Sequence, residues 1–332
     1  MDRPGALAEL RAAVTRFAGE HTPRDPGWCV ALSGGPDSLA LTAAAAALRP
    51  TTALIVDHQL QQDSAEVART AQAQALTVGC VAARILRVEV GAVGGPEAAA
   101  RSARYAALDE ARAGAAVLLA HTLDDQAETV LLGLGRGSGP RSIAGMRSYD
   151  PPWGRPLLGV RRAVTAAACA ELQLTPWSDP HNTDARFTRV RLRTEVLPLL
   201  EDVLGGGVAE ALARTADALR ADGEVLDVLA AQVLDRARRA DGLAVSELID
   251  VAPAVRRRVL RAWLLTGGAR GLTERHIRGV EALVSAWHGQ GGVAVPGSRP
   301  GHRLFARREA GMLTLHIEPV RRTASAGPQL PG

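Results

Sequence analysis

The sequence predicts an α/β protein in which a parallel-sheet domain is followed by a smaller α+β domain that is mainly helical. Between residues 28 and 135, short apolar runs alternate with segments of helical periodicity, as expected for βαβ units. A run of three glycines at residues 205–207 marks the best candidate boundary. Beyond it, helical segments come first and strand-like runs follow, which is typical of an α+β domain.

The first domain is predicted from four apolar runs, each followed by a helical segment. In order, the pairs are WCVAL with Asp37–Leu48, TTALIV with Ser64–Val78, ARILRVEV with Glu97–Ala113, and AVLLA with Leu123–Leu134. A helix from about Arg161 to Leu174 and another ending near Leu200 complete it. Glycine and proline are dense between Gly133 and Pro156, so this stretch is predicted to be a long functional or mobile loop rather than a packed element.

The second domain is predicted to contain three helices and a hairpin. The helices are Val208–Arg239, Pro253–Leu265 and Thr273–Trp287. The run VAVPG and the stretch RLFARREAGMLTLH are predicted strands, with a turn near Gly311. We therefore divide the chain into residues 1–204, residues 205–320 and a tail, residues 321–332, that is expected to be disordered.

Composition limits the chemistry that the chain can perform. All 39 basic residues are arginines, which excludes a Walker A lysine and a Schiff-base lysine. The net charge of +4 suits an acidic partner such as RNA. Three scattered cysteines give neither a zinc-site spacing nor a disulfide framework. The apolar stretch Leu39–Leu48 is too short to span a bilayer, so a soluble cytoplasmic protein without membrane attachment is expected.

The hexamer SGGPDS, residues 33–38, follows the first predicted strand and opens the first helix. Its glycines allow a sharp turn, its serines donate hydrogen bonds, and a helix N-terminus favours an anion. Pro36 suits a first helical turn, and Asp37 stands where a carboxylate can hold Mg²⁺ on bound phosphates. The competing interpretation is an ordinary strand-to-helix turn in which Ser33 or Asp37 is the cap.

The block AHTLDDQAET, residues 120–129, follows the fourth predicted strand. If a helix begins near Thr122, then His121, Asp125 and Glu128 project to one side at the carboxyl end of the sheet, where a cationic amine or Mg²⁺ can be held. The competing interpretation makes Thr122 or Asp124 a cap and lets the acids serve the helix dipole.

These motifs resemble known families. The hexamer resembles the phosphate loop of the PP-loop ATP pyrophosphatases, which implies a PP-loop (adenine nucleotide alpha hydrolase-like) fold. Together with the residues 120–129 and the ExxxRxxRY pattern of residues 97–105, the chain resembles the short form of the tRNA(Ile)-lysidine synthetase family. Two positions depart from the family pattern, Gln61 and His181.

The resemblance implies an enzyme that attaches lysine to carbon 2 of the wobble cytidine of a tRNA(Ile) with a CAU anticodon. It implies ATP and Mg²⁺ as cofactors, an adenylated tRNA as intermediate, and AMP and pyrophosphate as products. The implied catalytic residues are Asp37, His121, Asp125 and Glu128, and the implied ATP-binding residues are Ser33, Gly34, Gly35, Pro36, Asp37 and Ser38. The implied substrate or tRNA contacts are Asp57, His58, Glu97, Arg101, Arg104, Arg136, Arg189, Arg191 and Arg193.

Other functions stay open on sequence alone. A PP-loop tRNA thiolase relies on reactive or cluster-binding cysteines, and a PP-loop amidotransferase needs a source of ammonia. A non-enzymatic adenine-nucleotide-binding protein has a similar fold. Arg189, Arg191 and Arg193 alternate as if to track a tRNA backbone. A homodimer is one hypothesis for the oligomeric state, which the sequence does not determine.

Overall fold

The structure is a computed structural model that describes residues 5–59, 63–91, 95–137, 139–179, 184–297 and 302–319. The predicted tail at 321–332 and the two departures from the family pattern, Gln61 and His181, lie outside the described residues.

The first sheet has six strands in the order β3-β2-β1-β4-β6-β5. Its strands are β1 (Trp28–Ala31), β2 (Thr51–Asp57), β3 (Ala82–Arg87), β4 (Val117–Leu118), β5 (Tyr149–Asp150) and β6 (Trp153–Gly154). All neighbouring strands are parallel except β5 and β6, which are antiparallel. Strands β1 and β4 pair directly, so the loops that follow them lie side by side at the carboxyl edge of the sheet.

Helices cover both faces of this sheet because alternate strand residues point to opposite sides. Up to residue 203 the helices are α1 (Ala6–His21), α2 (Pro36–Ala46), α3 (Ser64–Thr77), α4 (Pro96–Ala111), α5 (Leu123–Gly135), α6 (Pro140–Ile143), α7 (Arg162–Glu171), α8 (Thr188–Arg191) and α9 (Leu197–Val203), of which α6 lies mostly in the stretch assigned to the second compact unit. Val30 packs into a core with α1, α2 and α7, whereas Cys29 and Leu54 pack against Leu108 of α4 on the other side. The predicted α/β class is confirmed.

The expectation that Gly133 to Pro156 forms only a loop is wrong. Helix α5 extends to Gly135, α6 follows, and β5 and β6 form a hairpin that adds two strands to the sheet. Leu119 donates a backbone hydrogen bond to Gly154 at 2.7 Å, which ties the hairpin to the strand before the candidate site. Strands of two residues are too short to produce an alternating pattern, so sequence periodicity could not reveal them.

Helix α1 was not predicted from the sequence. It buries Leu10, Val14 and Phe17, which recur at helical spacing, and it packs against α2 and α7. Helix α1 thereby covers the same face of the sheet that carries the phosphate loop helix.

The second unit combines helices with a five-stranded antiparallel sheet of order β7-β8-β11-β10-β9. Its elements are α10 (Val208–Ala237), β7 (Arg238–Arg239), β8 (Gly242–Ala244), α11 (Pro253–Thr266), α12 (Glu274–Ser285), β9 (Val293–Val295), β10 (His302–Glu309) and β11 (Met312–Pro319). The hairpin of β10 and β11 turns at Ala310 and Gly311, both of which have positive φ, as the sequence predicted.

The chain forms two compact units. One comprises Met1–Gly135 and Ile143–Asp217, and the other comprises Arg136–Ser142 and Ala218–Gly332. The division lies within α10, whereas the boundary at residues 204 and 205 stays a sequence-based prediction. In the part of the chain that the structure describes, no helix is long and apolar enough to cross a membrane.

Gly154 should tolerate no side chain, because a Cβ there would overlap the ring of Phe17 and lie 2.9 Å from Cδ2 of Leu118. We expect Gly154→Ala to lower the free energy of unfolding by about 1–3 kcal/mol, as overpacking does. Gly159→Ala is the matched control, since nothing lies within 4 Å of its added Cβ. Urea denaturation measures both. Equal stabilities of the two variants would contradict the packing of the hairpin on α1.

Candidate active site

The phosphate loop turns sharply between β1 and α2. Gly34 has a φ of +86°, a conformation that side-chain-bearing residues rarely adopt. The hydroxyls of Ser33 and Ser38 lie 3.1 Å apart, and Ser38 also accepts from the backbone N–H of Ser33 at 3.2 Å. The first bond of the helical ladder runs from Leu39 to Gly35, so the amides before Leu39 are outside that ladder. The loop thus has the elements of an anion cradle.

Asp37 lies in the first turn of α2 and contacts α7. Its carboxylate accepts a short hydrogen bond from the Thr165 hydroxyl and lies 3.3 Å from Nε of Arg162. Burial raises the pKa of Asp37 above its usual value, while the Thr165 hydrogen bond and the Arg162 charge oppose that rise. Asp37 is therefore held in place rather than left free in solvent.

Asp125 has two oxygens with different surroundings. Oδ2 accepts from both the backbone N–H and the hydroxyl of Thr122, each at 2.8 Å, which closes the first turn of α5. Oδ1 lies 2.5 Å from Nη2 of Arg162. Burial alone would raise the pKa of Asp125, but Arg162 and the Thr122 hydrogen bonds bring it below its usual value. One oxygen of Asp125, Oδ2, thus stabilises the start of the helix, and the other, Oδ1, faces the candidate site.

Arg162 joins the acids from separate elements. Besides its contacts with Asp37 and Asp125, its Nη1 lies 3.5 Å from Oε1 of Glu128. Its backbone N–H donates to Asp124 at 2.7 Å. Burial would lower the pKa of Arg162, but Asp125 and Asp37 raise it above its usual value, so the guanidinium stays charged. The structure therefore brings Asp37, Asp125 and Glu128 together around one cation.

Glu128 is fully buried and surrounded by arginines. Arg193 donates to both of its oxygens, at 2.8 and 3.4 Å, and Arg189 lies 3.7 Å away. A buried carboxylate is costly unless it is paired in this way. Arg193 belongs to a five-residue π-helix, Leu192–Val196, and such segments often occur at functional sites.

The alternating spacing of Arg189, Arg191 and Arg193 does not place them in a row, which corrects the geometry inferred from the sequence. The segment is helical, so residues two apart point in different directions. Arg189 and Arg193 face Glu128, whereas Arg191 pairs with Glu195 at 2.8 Å on the surface. Their assignment as tRNA contacts stays a prediction.

His121 precedes α5 and lies within range of several charges. Burial lowers its pKa to about 4, although the charge of Asp125 acts in the opposite direction and those of Arg155 and Arg101 add to the lowering. Its buried Nδ1 has no hydrogen-bond partner among the described residues. A neutral imidazole with an unsatisfied nitrogen is suited to accept or donate a proton near a substrate.

A second polar cluster forms where β2 ends. Asp57 is buried and accepts from the backbone N–H of Gln59 at 2.9 Å. Nε of Arg104 donates to Nε2 of His58 at 3.3 Å, which joins β2 to α4. Burial lowers the pKa of His58, and Arg104 lowers it further, so this histidine is neutral at physiological pH.

Of the remaining candidates, Arg101 lies within range of His121, and its charge contributes to the lowered pKa of that histidine. Arg101 stacks on the ring of Tyr105, with 4.9 Å from its Cζ to the centroid. The side chain of Glu97 lies outside the described part of the chain. Arg136 is exposed and belongs to the second compact unit.

Mg²⁺ was assigned to Asp37 from the sequence. Among the described residues, no group of three His, Cys, Asp or Glu side chains is arranged to hold a metal ion. Mg²⁺ commonly uses one or two carboxylates together with substrate phosphates. Asp37 at the end of the phosphate loop fits such a shared site.

Sequence reasoning did not single out Arg162, although it is the residue that connects the site. One signal was present: Arg161 and Arg162 open helix α7, where a positive charge opposes the helix dipole. An unfavourable charge at a helix N-terminus indicates that another interaction holds it there. Asp124, which caps this end, and the three acids provide that interaction.

Two models of known protein families match this chain. A PP-loop domain model matches residues 8–200, and a model of the TilS substrate binding domain matches residues 243–314. A tRNA(Ile)-lysidine synthase from Mycolicibacterium paratuberculosis is 68% identical over 97% of this chain and 100% of the relative. The chain belongs to the tRNA(Ile)-lysidine synthase family. This confirms the resemblance found in its motifs.

Further relatives in the tRNA(Ile)-lysidine synthase family come from other bacteria. The protein from Mycobacterium tuberculosis (strain ATCC 25618 / H37Rv) is 68% identical over 96% of this chain and 100% of its own length. The protein from Rhodococcus erythropolis is 59% identical over 96% and 98%, respectively. Among solved structures, a U34-tRNA thiolase from Methanococcus maripaludis matches with a TM-score of 0.52 at 18% identity, over 64% of this chain and 79% of that one. This last similarity supports the fold alone.

His121 should remain neutral well below pH 6.5. Its pKa is lowered to about 4 in the folded protein, against 6.5 for an ordinary histidine, so the unfolded chain binds the extra proton first as the pH falls. The free energy of unfolding should therefore decrease between pH 6.5 and 4, and less so in His121→Gln. NMR titration, assigned with that variant, measures the pKa directly. A midpoint near 6.5 would contradict the burial of this imidazole.

Proposed function

We propose that this chain is an ATP-dependent ligase that attaches L-lysine to carbon 2 of the wobble cytidine of a tRNA(Ile) with a CAU anticodon. Family membership supports the overall reaction. One observation supports the assignment of the site above all others. Arg162 contacts Asp37 of the phosphate loop helix and also contacts Asp125 and Glu128 of α5. Nucleotide chemistry and amine chemistry can therefore take place next to each other.

In the first step, the O2 oxygen of the cytosine attacks the α-phosphorus of ATP and pyrophosphate leaves. The phosphate loop, residues 33–38, binds the phosphates through its amides and serine hydroxyls. Asp37 would hold Mg²⁺ together with the phosphates, and the bound cation would offset the negative charge on the pyrophosphate. A wobble base lies in an anticodon loop, where extrusion into a pocket costs little.

In the second step, the lysine amine attacks carbon 2, and the bond from carbon 2 to O2 breaks so that AMP leaves with that oxygen. The amine arrives as an ammonium, for which Asp125 and Glu128 provide negative charge. It must lose protons to react, and Nδ1 of His121, which is buried without a hydrogen-bond partner among the described residues, is the atom proposed to accept one. The adenylate is a good leaving group, so no further activation is needed.

Other assignments complete the proposal. Arg101, Arg104 and Arg136 are candidate phosphate or tRNA contacts, and Asp57, His58 and Glu97 are candidate substrate contacts. Residues 205–320 are proposed to bind the tRNA, consistent with the match of residues 243–314 to a substrate binding domain. A homodimer stays a hypothesis that sedimentation velocity can test.

The order of the two steps is the first functional test. Because lysine enters only in the second step, pyrophosphate release should require tRNA and should occur without lysine. We would incubate enzyme with α-labelled ATP and a tRNA carrying a CAU anticodon in a single turnover, and then add lysine. Label should move from ATP to tRNA, and from tRNA to free AMP once lysine is present. Label that never reaches tRNA, or release triggered by lysine alone, would refute this order.

The cysteines distinguish this proposal from a thiolase. Cys29, Cys80 and Cys169 are free and buried, and burial raises the pKa of both Cys80 and Cys169 to about 11. Thiols of this kind are poor nucleophiles at neutral pH. The triple variant Cys29→Ala, Cys80→Ala, Cys169→Ala should therefore keep kcat within about threefold of the unsubstituted enzyme, while its stability falls by the cost of small cavities. Loss of ligation in a folded triple variant would favour cysteine chemistry.

A further inference from the structure

The amine-binding acid of the proposed function has only one oxygen available for a ligand. Oδ2 of Asp125 is occupied by two hydrogen bonds from Thr122, and it cannot leave them without opening the first turn of α5. Oδ1 is the other oxygen; Arg162 donates to it at 2.5 Å, and Nη2 of Arg193 lies farther off, at 3.6 Å. An ammonium that binds Asp125 must therefore compete with the Arg162 guanidinium for the same oxygen.

Glu128 offers no alternative. It is fully buried, Arg193 donates to both of its oxygens, and Arg162 lies 3.5 Å from Oε1. Two like charges at such distances repel each other, so a lysine ammonium placed between these acids would be disfavoured while Arg162 stays where it is. Binding of lysine thus requires Arg162 to withdraw, at least from Asp125.

The direction in which Arg162 can withdraw is given by its third contact. Its Nε lies 3.3 Å from Asp37, in the first turn of the helix whose N-terminus forms the phosphate cradle. A triphosphate in that cradle brings several negative charges to the Asp37 end of the guanidinium. Arginine binds phosphate oxygens with strong, charge-assisted hydrogen bonds, so occupied phosphates compete with Asp125 for Arg162.

We propose that Arg162 is a positioning residue that couples nucleotide binding to lysine binding. Without nucleotide, it occupies Oδ1 of Asp125 and weakens lysine binding. With nucleotide, it turns toward the phosphates and exposes that oxygen to the amine. Linkage requires the effect to be mutual, so lysine strengthens nucleotide binding by the same factor. The inference rests on the proposed lysine site at Asp125 and Glu128.

Isothermal titration calorimetry tests this coupling without catalytic turnover. Lysine is titrated into the full-length protein with and without saturating α,β-methylene-ATP, and tRNA is omitted. We expect the analogue to raise the lysine affinity of the unsubstituted protein by about 5- to 150-fold, the usual range of coupling between sites. Titration of the analogue with and without lysine should give the same factor.

Arg162→Ala should remove the coupling in a specific way. Its lysine affinity without nucleotide should exceed that of the unsubstituted protein, because the closer guanidinium at Oδ1 is gone, while Arg193 stays 3.6 Å away and paired with Glu128. The analogue should then change this affinity by less than about twofold. General damage to the site would weaken lysine binding instead. Arg162→Lys keeps a single cation that cannot bridge three acids, so partial coupling is expected, and it replaces the alanine variant if that variant does not fold.

Arg161→Ala is the matched control. Arg161 stands next to Arg162 at the same helix end, and its contacts are with Asp124, Glu201 and Glu210 at 3.7–3.8 Å rather than with the three acids of the site. It should retain the full coupling. Unchanged coupling in a folded Arg162→Ala or Arg162→Lys variant would overturn the inference and leave the proposed function standing. Absence of lysine binding in the unsubstituted protein under both conditions would instead refute the proposed lysine site, and the inference with it.

Discussion

The pairing of Arg162 with Asp37, Asp125 and Glu128 is the interaction on which the candidate site depends. Three carboxylates this close together would repel one another, so a cation held between them is needed to offset their negative charges. Because the cluster is largely buried, substitution of one of these residues should be destabilising, since removing one partner of a buried ion pair leaves an uncompensated charge. Glu128 is also paired with Arg189 and Arg193, and Arg193 lies in the π-helix Leu192–Val196, so this segment contributes positive charge to the same cluster.

The order of the strands explains how elements distant in sequence meet. Strands β1 and β4 are neighbours at the centre of the sheet, so the phosphate loop and the start of α5 emerge side by side. Helix α7 packs on α2. From α7, Thr165 donates to Asp37 of α2, and Arg162 donates to Asp125 of α5. The hairpin of β5 and β6 extends the sheet next to β4. Arg155, which directly follows this hairpin, is buried, and its charge contributes to the low pKa of His121.

Much of this arrangement could be predicted from the sequence because it depends on local patterns. Phosphate loop residues, strand-to-helix alternation and the helix that starts beside Thr122 all follow from spacing over a few residues. Arg162 could not be identified in this way, since its partners lie on other elements. The same holds for Arg256 in the second unit, whose guanidinium donates to the carbonyls of Ile249 and Val251 at 3.1 Å.

In the proposed reaction, nucleotide phosphates and the lysine amine occupy opposite ends of a site organised by Arg162. A crystal structure of the protein with both α,β-methylene-ATP and lysine tests it most directly. We expect phosphates on residues 33–38, the Arg162 guanidinium turned toward them, and a lysine amine within hydrogen-bonding distance of Oδ1 of Asp125. Lysine bound elsewhere, or Arg162 still on Asp125 with both ligands present, would contradict it.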